Sequence, residues 1–517
     1  MCRKNYLDGS VPCGFQRTLV IGLNGRIPVN GKEVGIETIC IEEDAARKVK
    51  EEGKTVYYRL DRLGIPLVEI VTSPDIETPE ELLETAFRIG LLLRSTGKVK
   101  RGIGTIRQDI NVSIRGGARV EIKGVQKLEW LPKLARNEVI RQLSLLKIRD
   151  ELLHRGAKED EYKLDVKDVT EIFRETRSKI LKRKGNERIL AVRLPKFSGL
   201  LGMEVQPGRR FGKELADKVR AITGIAGIIH SDENLEKYGV SPQEADALRL
   251  ALELDDNDAF VLVKAPEEMG KKALEVVVKR ARLSLKGVPN ETRRALENGN
   301  SEFLRELHGG ARLYPDTDTP PIIINPEWKR RVASQLPEYP WVLKEKLAKK
   351  YGISSEFAEE LILEEKAEIF KEIVESYRVD SVLVASTLLQ TVRGLEREGV
   401  PVENLTREDF NGVFKYLSEG KIAKEAIPQL LAKLAEKPSN LDDALNALGI
   451  KPLSKEELEE IISKVVESNM SLIISKGERA FSPLMGAVMK QVRGKIDGKT
   501  VAELLKAKIS EVIKHGS

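Results

Sequence analysis

An alternation of apolar and polar residues from Thr105 to Arg115 is the pattern of an extended strand, in which successive side chains point to opposite faces. The apolar positions of this stretch are Ile106, Ile110, Val112 and Ile114. Its polar positions are Thr105, Arg107, Asp109, Asn111, Ser113 and Arg115. Gly116 and Gly117 predict a turn, after which Val120 and Ile122 return inward and Glu121 and Lys123 outward. The sequence therefore predicts a β-hairpin with one buried and one polar face.

The polar face of such a hairpin is most often a solvated surface of an antiparallel sheet. Residue choice argues against that interpretation, because Asp and Asn disfavour strands and both Asp109 and Asn111 lie on this face. Upstream, Glu69 lies within the apolar run IPLVEIV, where a carboxylate is costly without a partner. The partner is either an arginine such as Arg62 or Arg107, or a bound cation. Spacing alone does not choose between these two alternatives.

A helix is predicted between the strand that carries Glu69 and the hairpin. Thr78 occupies the N-cap position, Pro79 the first helical position, and Glu81 completes a capping box. Gly97 predicts the end of this helix.

Composition leaves the partner of the chain open. The 517 residues are enough for three or four domains, and a net charge of +6 permits a nucleic-acid partner without requiring one. Three basic clusters, at residues 98–102, 178–188 and 490–495, are candidates for such contacts. Three cysteines without a CxxC pair argue against a disulfide framework and against zinc. No signal peptide or membrane-spanning run is evident, so a cytoplasmic protein is expected.

Several segments resemble one known family in order and spacing. They are IEEDAARK, DRLGIPLVEIVTSPDIETPEE, RQDINVSI, EIKGVQ and the opening RKNYLDGSVPCGFQRT. The family is that of the B and E subunits of glutamyl-tRNA(Gln) amidotransferases, and the resemblance covers nearly the whole chain. It implies an α+β fold: an antiparallel-sheet catalytic (cradle) domain, an inserted α+β domain like that of aspartyl-tRNA synthetases, and all-helical carboxy-terminal and tail domains.

The resemblance also implies domain boundaries. The catalytic domain is expected at residues 1–187 and 309–340, the inserted domain at 188–308, a helical domain at 341–465 and a tail domain at 466–517. The segments AVRLPKFSGLLG, QPGRRFG and GIAGIIHSDE resemble the insertion that the archaeal E subunit has and the bacterial B subunit lacks. An archaeal E-type subunit is therefore favoured, with a bacterial B-type subunit as the alternative.

The family's reaction suggests roles for individual residues. ATP phosphorylates the side-chain carboxylate of glutamate esterified to tRNA(Gln), and ammonia then displaces phosphate, with Mg²⁺ held by carboxylates. The residues expected in catalysis are Glu42, Glu69, Asp109 and Lys123, of which Glu42 and Glu69 match the family's magnesium ligands. Those expected to bind ATP or substrate are Arg3, Lys4, Arg62, Arg107 and Asn111. No Walker-type GxxxxGK[ST] motif is present, so side chains rather than a P-loop would bind the phosphates.

The last stretch, from GERAFSPLMG onward, resembles the helical tail of both subunit types. Its basic residues are expected to contact tRNA phosphates, and they are Lys490, Arg493, Lys495 and Lys499. A solvated helix end is the alternative interpretation.

The family also implies a partner chain and an additional segment. No Gly-x-Ser-x-Gly elbow or activated cysteine is evident, so ammonia is expected from an asparaginase-like D subunit, in an assembly of two D and two E subunits. The family's catalytic domain begins upstream of RKNYLDGS with a segment that supplies a His and an acidic residue to the metal site. Without that segment, a tRNA-binding protein that is catalytically incomplete is the alternative function.

Overall fold

Strands occur in the chain as far as Pro315, and the remainder is helical. The computed structural model describes residues 1–53, 55–100, 102, 104–183, 185–307, 313–436, 440–449, 455–492 and 498–515. The chain divides into two units, one formed by Met1–Gly90 with Lys100–Asn325 and the other by Leu91–Val99 with Pro326–Ser517. The fold is thus α+β with antiparallel sheets and a helical carboxy-terminal region, which confirms the predicted class.

The strands all belong to the first unit. They are β1 (Cys2–Asn5), β2 (Phe15–Val29), β3 (Lys32–Glu43), β4 (Arg47–Glu52), β5 (Thr55–Arg59), β6 (Pro66–Thr72), β7 (Gln108–Val112), β8 (Val120–Val125), β9 (Lys167–Asp168), β10 (Glu187–Leu194), β11 (Glu204–Gln206), β12 (Arg209–Arg210), β13 (Ile229–His230), β14 (Ala259–Pro266), β15 (Glu291–Ala295), β16 (Ser301–Glu306) and β17 (Leu313–Pro315). The helices that begin in this unit are α1 (Pro79–Ser95), α2 (Leu131–His154), α3 (Phe211–Thr223), α4 (Pro242–Ala251) and α5 (Glu267–Ser284). As predicted, α1 begins at Pro79, and the amide of Glu81 donates to Thr78 Oγ1 at 3.1 Å.

The first sheet has the strand order β17-β1-β2-β3-β6, and all of its pairings are antiparallel. Its long central hairpin of β2 and β3 turns at Asn30 and Gly31, whose φ angles are 48° and 84°. Strand β17 lies at one edge, where Tyr314 pairs with Arg3. The chain therefore returns, near residue 313, to the sheet that it began.

The second sheet has the order β16-β15-β8-β7, with β8 and β15 parallel. Ile110, Val120 and Ile122 are buried on one face of this sheet. Strand β7 is shorter than the predicted Thr105–Arg115, because a bend at Thr105 and Ile106 precedes it and a turn follows it, in which the Gly117 amide donates to the Ile114 carbonyl at 2.9 Å. A register shift leaves Asp109 opposite two residues of β8, Lys123 and Gly124, so β8 has a bulge that alternation alone did not predict.

The third sheet has the order β13-β14-β10-β9 and is buried on both faces. Leu190 and Val263 pack into one core, which also contains the apolar residues of α2, α3 and α5. Ile189 and Leu262 pack into a second core on the other side. Burial on both faces explains why β10 and β14 are nearly continuous apolar runs rather than alternating ones.

The predicted division at residues 188 and 308 does not follow these sheets. Strands β15 and β16 join β8 and β7, whereas β9, which precedes residue 188, pairs with β10. One core also combines Leu134 and Ile148 of α2 with Leu215 of α3. The assignment of residues 188–308 to an aspartyl-tRNA-synthetase-type domain stays a prediction.

A network of buried charges connects α2, α3, α5 and β15. Its members are Arg141, Arg280, Arg293, Glu138, Glu214 and Glu291, none of which is more than 5% exposed. Arg141 donates to Glu138 at 2.9 Å, to Glu214 at 2.7 Å and to Glu291 at 2.6 Å. Three positive and three negative groups thus balance inside the protein, which is the condition under which charges tolerate burial.

The second unit is helical. Its helices are α6 (Pro326–Ala333), α7 (Pro340–Tyr351), α8 (Ser355–Leu363), α9 (Ala367–Tyr377), α10 (Ser381–Ser386), α11 (Val392–Arg397), α12 (Arg407–Ser418), α13 (Ile427–Glu436), α14 (Leu441–Ala447), α15 (Lys455–Glu467), α16 (Met470–Lys476), α17 (Phe481–Val492) and α18 (Gly498–His515). Leu458 and Ile462 of α15 share one core with Leu484 and Leu505, so α15 packs with the helices that follow it. In the described part of the chain, every helix is too short or too polar to cross a bilayer.

Candidate active site

One face of the first sheet collects polar side chains from four strands. In the register, Lys4 of β1 pairs with Gln16 of β2, Thr18 of β2 pairs with Glu42 of β3, and Cys40 of β3 pairs with Glu69 of β6. Directly opposite residues share a face, and so do residues two positions apart on one strand. Glu42 and Glu69 are therefore diagonal neighbours on one face, an arrangement in which residues typically lie roughly 7–8 Å apart.

Glu42 is held in place by two neighbours. It is only 6% exposed, and Lys4 Nζ lies 3.1 Å from its Oε1. Gln16 Nε2 donates to Glu42 Oε2 at 3.2 Å and to the Glu43 carbonyl at 2.6 Å. Sequence reasoning did not single out Gln16, and the available signal was only its alternation with Thr18 on a polar strand face. Gln16 therefore fixes the orientation of the Glu42 carboxylate.

Glu69 carries a carboxylate that has no ion-pair partner in the part of the chain that the structure describes. It lies on the exposed surface of the first sheet and makes no hydrogen bond or ion pair with any residue that the structure describes. Partial loss of hydration, and then the negative charge of Glu42, raise the pKa of Glu69, while Lys4 and Lys123 act in the opposite direction. The sequence left either an arginine or a cation as the partner of Glu69. The structure does not bring Arg62 or Arg107 to it.

The polar face of the second sheet carries the charged residues Lys123, Asp109 and Glu121. Lys123 Nζ lies 2.7 Å from Asp109 Oδ2 and 2.9 Å from Glu121 Oε1. Burial acts to lower the pKa of Lys123, but these two carboxylates outweigh it and the net shift is upward. Asn111 pairs with Glu121 in the register and is exposed. Because Lys123 and Asp109 also act on the pKa of Glu69, the polar faces of the first and second sheets lie within electrostatic range of each other.

The two predicted arginines near this face are engaged by one carboxylate. Arg107 Nη2 lies 3.3 and 3.4 Å from the two oxygens of Asp44, and Arg62 Nε lies 3.8 Å from Asp44 Oδ2. Arg62 Nε also donates to the Ala45 carbonyl at 2.9 Å. Asp44 follows β3 directly, so both guanidinium groups lie beside the strand end that carries Glu42.

Arg3 lies on the other face of the first sheet. Adjacent residues of a strand point to opposite sides, so Arg3 faces away from Lys4. Its guanidinium pairs with Asp316, at 2.9 Å, and with Asp318. Hydrogen bonds, the first from the Asp318 amide, hold the pKa of Asp316 at about 2. The sequence grouped Arg3 with Lys4 as a ligand-binding pair, but the structure separates them because consecutive strand residues cannot share a face.

The predicted tRNA-binding residues of the tail are only partly placed. Lys490 is exposed in the last turn of α17. Arg493 and Lys495 lie outside the described residues, and Lys499 lies in the first turn of α18, where only its backbone is described.

The donor set fits a hard cation with few protein ligands. Among the described residues, no group of three or more His, Cys, Asp or Glu side chains is placed to hold a metal ion. The structure offers instead the pair Glu42 and Glu69, of which Glu69 has no partner in the described part of the chain. Mg²⁺ commonly uses one or two carboxylates and completes its shell with water and substrate phosphates. The pair is therefore suited to Mg²⁺ rather than to a fully protein-enclosed metal.

Comparison with protein families shows which domain contains this site. Residues 1–330 match the model of the GatB/GatE catalytic domain. The chain belongs to the GatB/GatE family. Residues 368–509 match a second model of the family, the GatB domain. The two matches together include both units and every residue of the polar faces described above.

Curated relatives support the E-type assignment within the GatB/GatE family. The chain is 47% identical over 515 residues to the glutamyl-tRNA(Gln) amidotransferase E subunit of Methanocaldococcus jannaschii, covering 99% of this chain and 81% of the relative. It is 49% identical over 513 residues to the E subunit of Thermococcus gammatolerans, with the same two coverages. For the E subunit of Aeropyrum pernix the identity is 45% over 518 residues, covering 99% of this chain and 80% of the relative. The predicted resemblance to archaeal E subunits is confirmed.

Proposed function

We propose that this chain activates and amidates glutamate on tRNA(Gln), using ATP and Mg²⁺. The observation that supports this most directly is the carboxylate of Glu69, which lacks a partner in the described structure and lies beside Glu42 and the cations Lys4 and Lys123. Glu69 is exposed, partial loss of hydration and the charge of Glu42 raise its pKa, and no described residue pairs with it, so its carboxylate is free to bind a cation. The names of the relatives, E subunits of an amidotransferase, supply the reaction to which the site is assigned.

The proposed reaction has two steps. An oxygen of the glutamate side-chain carboxylate attacks the γ-phosphorus of ATP, the bond to the β-phosphate oxygen breaks, and ADP leaves. The nitrogen of ammonia then attacks the activated carbonyl carbon, the bond to the phosphoryl oxygen breaks, and phosphate leaves as the nitrogen loses a proton. Both steps develop or move negative charge, which positioned cations stabilise.

Each of the described site residues has a separate role in this proposed reaction. Glu42 and Glu69 would hold Mg²⁺, which when bound neutralises phosphate charge. Gln16 orients Glu42 through its 3.2 Å hydrogen bond. Lys4 and Lys123 supply positive charge to phosphate oxygens, and Arg62 and Arg107 add to it from the end of β3.

The acceptor would be held from the second sheet. Asp109, fixed by Lys123 at 2.7 Å, and Asn111 lie on the face that we propose receives the amino group of the glutamyl ester. We propose no ligand role for Arg3, because its ion pairs lie on the opposite face. Ammonia would come from an asparaginase-like D subunit, in an assembly of two D and two E subunits.

The proposal is tested by assaying amidation of glutamyl-tRNA(Gln) with ATP, Mg²⁺ and ammonium chloride. We expect formation of glutaminyl-tRNA together with ADP and phosphate in equal amounts, with no product when ATP or Mg²⁺ is omitted. The assay is run with the chain alone and with a D-type partner and its amide donor. Tight tRNA binding without any product in either case would instead assign the chain as a tRNA-binding protein without transfer chemistry.

Removal of the tail is expected to weaken tRNA binding in a salt-dependent way. The appropriate deletion is residues 455–517, because α15 packs into the same core as the last two helices. Each phosphate contact contributes about 0.7–0.9 to the slope of log affinity against log salt concentration. Loss of the four predicted contacts, which are those of Lys490, Arg493, Lys495 and Lys499, therefore reduces the magnitude of that slope by about three. Filter binding across a range of salt concentrations, from about 50 to about 300 mM, measures this.

A matched variant separates charge from packing in that experiment. Replacement of Lys490, Arg493, Lys495 and Lys499 together by glutamine keeps the helices and removes the positive charges. An affinity and a salt slope equal to those of the intact chain in both variants would show that the tail has only a packing role.

A further inference from the structure

A line of polar side chains crosses the second sheet from one edge to the other. In the register, Asn111 of β7 pairs with Glu121 of β8, Glu121 pairs with Thr292 of β15, and Thr292 pairs with Arg305 of β16. Thr292 Oγ1 donates to Glu121 Oε2 at 2.9 Å. Because directly opposite residues share a face, Arg305 lies on the same polar face as Lys123. The sequence reasoning did not single out Thr292 or Arg305.

Arg305 differs from its neighbours in having no counter-ion among the residues that the structure describes. Within the described residues its guanidinium forms no ion pair, and its Nε is buried without a hydrogen-bond partner. The arginines of the adjacent strand are both paired, Arg293 with Glu291 and Ser301, and Arg294 with Glu302. A buried guanidinium Nε–H without an acceptor is costly. Such a group is retained more readily where an anion from outside the chain binds it.

The negative charge nearest to Arg305 is already satisfied by other groups. Glu121 accepts hydrogen bonds from Thr292 and Lys123, and both of these, with the more distant charge of Arg305, offset its burial and lower its pKa. Glu121 is thus an ion-paired carboxylate rather than a free competitor for Arg305. The planar guanidinium group of Arg305 matches two oxygens of a phosphate, whereas the one hydroxyl proton of Thr292 is donated to Glu121.

We propose that Arg305 forms an anion subsite that takes a phosphate group of the substrates, at the edge of the polar face that carries Lys123. This inference rests on the proposed function, since that function supplies two phosphate-bearing ligands. The phosphate belongs either to ATP or to the RNA backbone close to the esterified end. In both cases Arg305 is a binding residue that extends the site beyond the carboxylate pair.

The test compares Arg305→Gln and Arg305→Lys with the control Arg294→Gln. Arg294 lies on the adjacent strand of the same sheet, but it is paired with Glu302 and its side chain is 60% exposed. Binding of ATP with Mg²⁺ and of tRNA(Gln) is measured separately at equilibrium, and the KM values of both are measured in the amidation assay. We expect Arg305→Gln to weaken one of the two ligands about tenfold or more, Arg305→Lys to recover part of the loss, and Arg294→Gln to stay within about twofold.

The two ligands distinguish the two sources of phosphate. A rise in the dissociation constant for ATP alone assigns the subsite to the nucleotide, and a rise for tRNA alone assigns it to the RNA. Unchanged binding of both ligands in Arg305→Gln would overturn the subsite, whatever the amidation assay shows. If the wild-type chain binds ATP and tRNA(Gln) but forms no glutaminyl-tRNA, the proposed function is wrong, whereas the proposed anion subsite is not contradicted. If thermal melting shows that Arg305→Gln is unfolded, the binding constants of Arg305→Lys test the subsite instead. Lysine keeps the positive charge and removes the bidentate contact of the guanidinium group.

Discussion

Glu69→Gln is expected to reduce the turnover of ATP-dependent amidation by about 100-fold or more while tRNA affinity changes by less than about threefold. The amide keeps the size of the side chain and removes the charge that we propose holds Mg²⁺. Glu42 would remain, but Lys4 already lies 3.1 Å from it, so it is the weaker of the two anions for a cation. Initial rates at saturating ATP, with the Mg²⁺ concentration varied from limiting to saturating, measure the effect.

The pH dependence gives the same experiment a second readout. Loss of hydration and the charge of Glu42 raise the pKa of Glu69 above the usual carboxyl value of 4.5. Protons therefore compete with Mg²⁺ at Glu69 at a higher pH than at an ordinary carboxylate, and the wild-type rate falls as the pH is lowered through that raised pKa. Glu69→Gln removes this competition, and the Mg²⁺ dependence of its residual activity should no longer change over that range.

The sign of the stability effect follows from the same shift. A carboxyl group whose pKa is higher in the folded than in the unfolded chain favours folding when protonated, and this contribution is lost as the pH rises through the folded pKa. At neutral pH the ionised Glu69 thus opposes folding, so Glu69→Gln should melt at the same or a slightly higher temperature. The control is Glu33→Gln, a 60% exposed carboxylate on β3 that pairs with Arg26. Wild-type turnover in Glu69→Gln would remove Glu69 from the metal site.

Arg141→Met is expected to destabilise the first unit by about 3–5 kcal/mol, because it leaves buried carboxylates without their shared partner. Arg141 is fully buried and contacts Glu138, Glu214 and Glu291 at 2.6–2.9 Å. Arg280 and Arg293 remain, but they do not replace its bonds to Glu138. A loss of this size lowers the melting temperature by about 10 °C in a unit of several hundred residues, which calorimetry resolves.

An exposed arginine on the same helix is the control for this substitution. Arg136 pairs with Glu80, and both side chains are more than half exposed, at 54% and 65%. Arg136→Met should therefore change stability by about 0.5 kcal/mol or less. Paired charges hold the pKa of Glu214 well below its usual range, although burial opposes this. Glu214 should accordingly lose its contribution to stability only as the pH falls below the ordinary carboxyl range. Equal melting temperatures for Arg141→Met and Arg136→Met would show that the buried network is not a source of stability.

Much of the local structure was predictable from the sequence. The start of α1 followed from Thr78, Pro79 and Glu81, because the signals for a helix start lie within four consecutive residues. The predicted capping box forms only in part, since the Glu81 carboxylate accepts mainly from the Glu77 amide, at 2.9 Å, rather than from the Thr78 amide. The hairpin of β7 and β8 followed from alternation and the glycine turn, although its strand length did not. Glu42 and Glu69 are predicted as metal ligands because they match the family's magnesium ligands, and the structure places them on the neighbouring strands β3 and β6.

The remaining contacts of the site depend on residues distant in the chain. Gln16 reaches Glu42 across 26 positions, and Arg107 reaches Asp44 across 63. No local pattern encodes which of several basic residues will meet a given carboxylate. The sequence therefore left an arginine such as Arg62 or Arg107, or a bound cation, as the partner of Glu69, and the structure engages both arginines with Asp44.

The sequence by itself determined the family, the strands that carry the two glutamates, and the residue types available for binding phosphate and a cation. Periods of two and of three to four residues are local properties, so they can be read without knowing what packs against them. Only the tertiary structure decided that Arg3 faces away from Lys4, that Gln16 orients Glu42, and that Arg305 shares a polar face with Glu121, with no counter-ion in the described residues. Sheet register between strands that are far apart in the chain sets these relations, because it determines which side chains share one face.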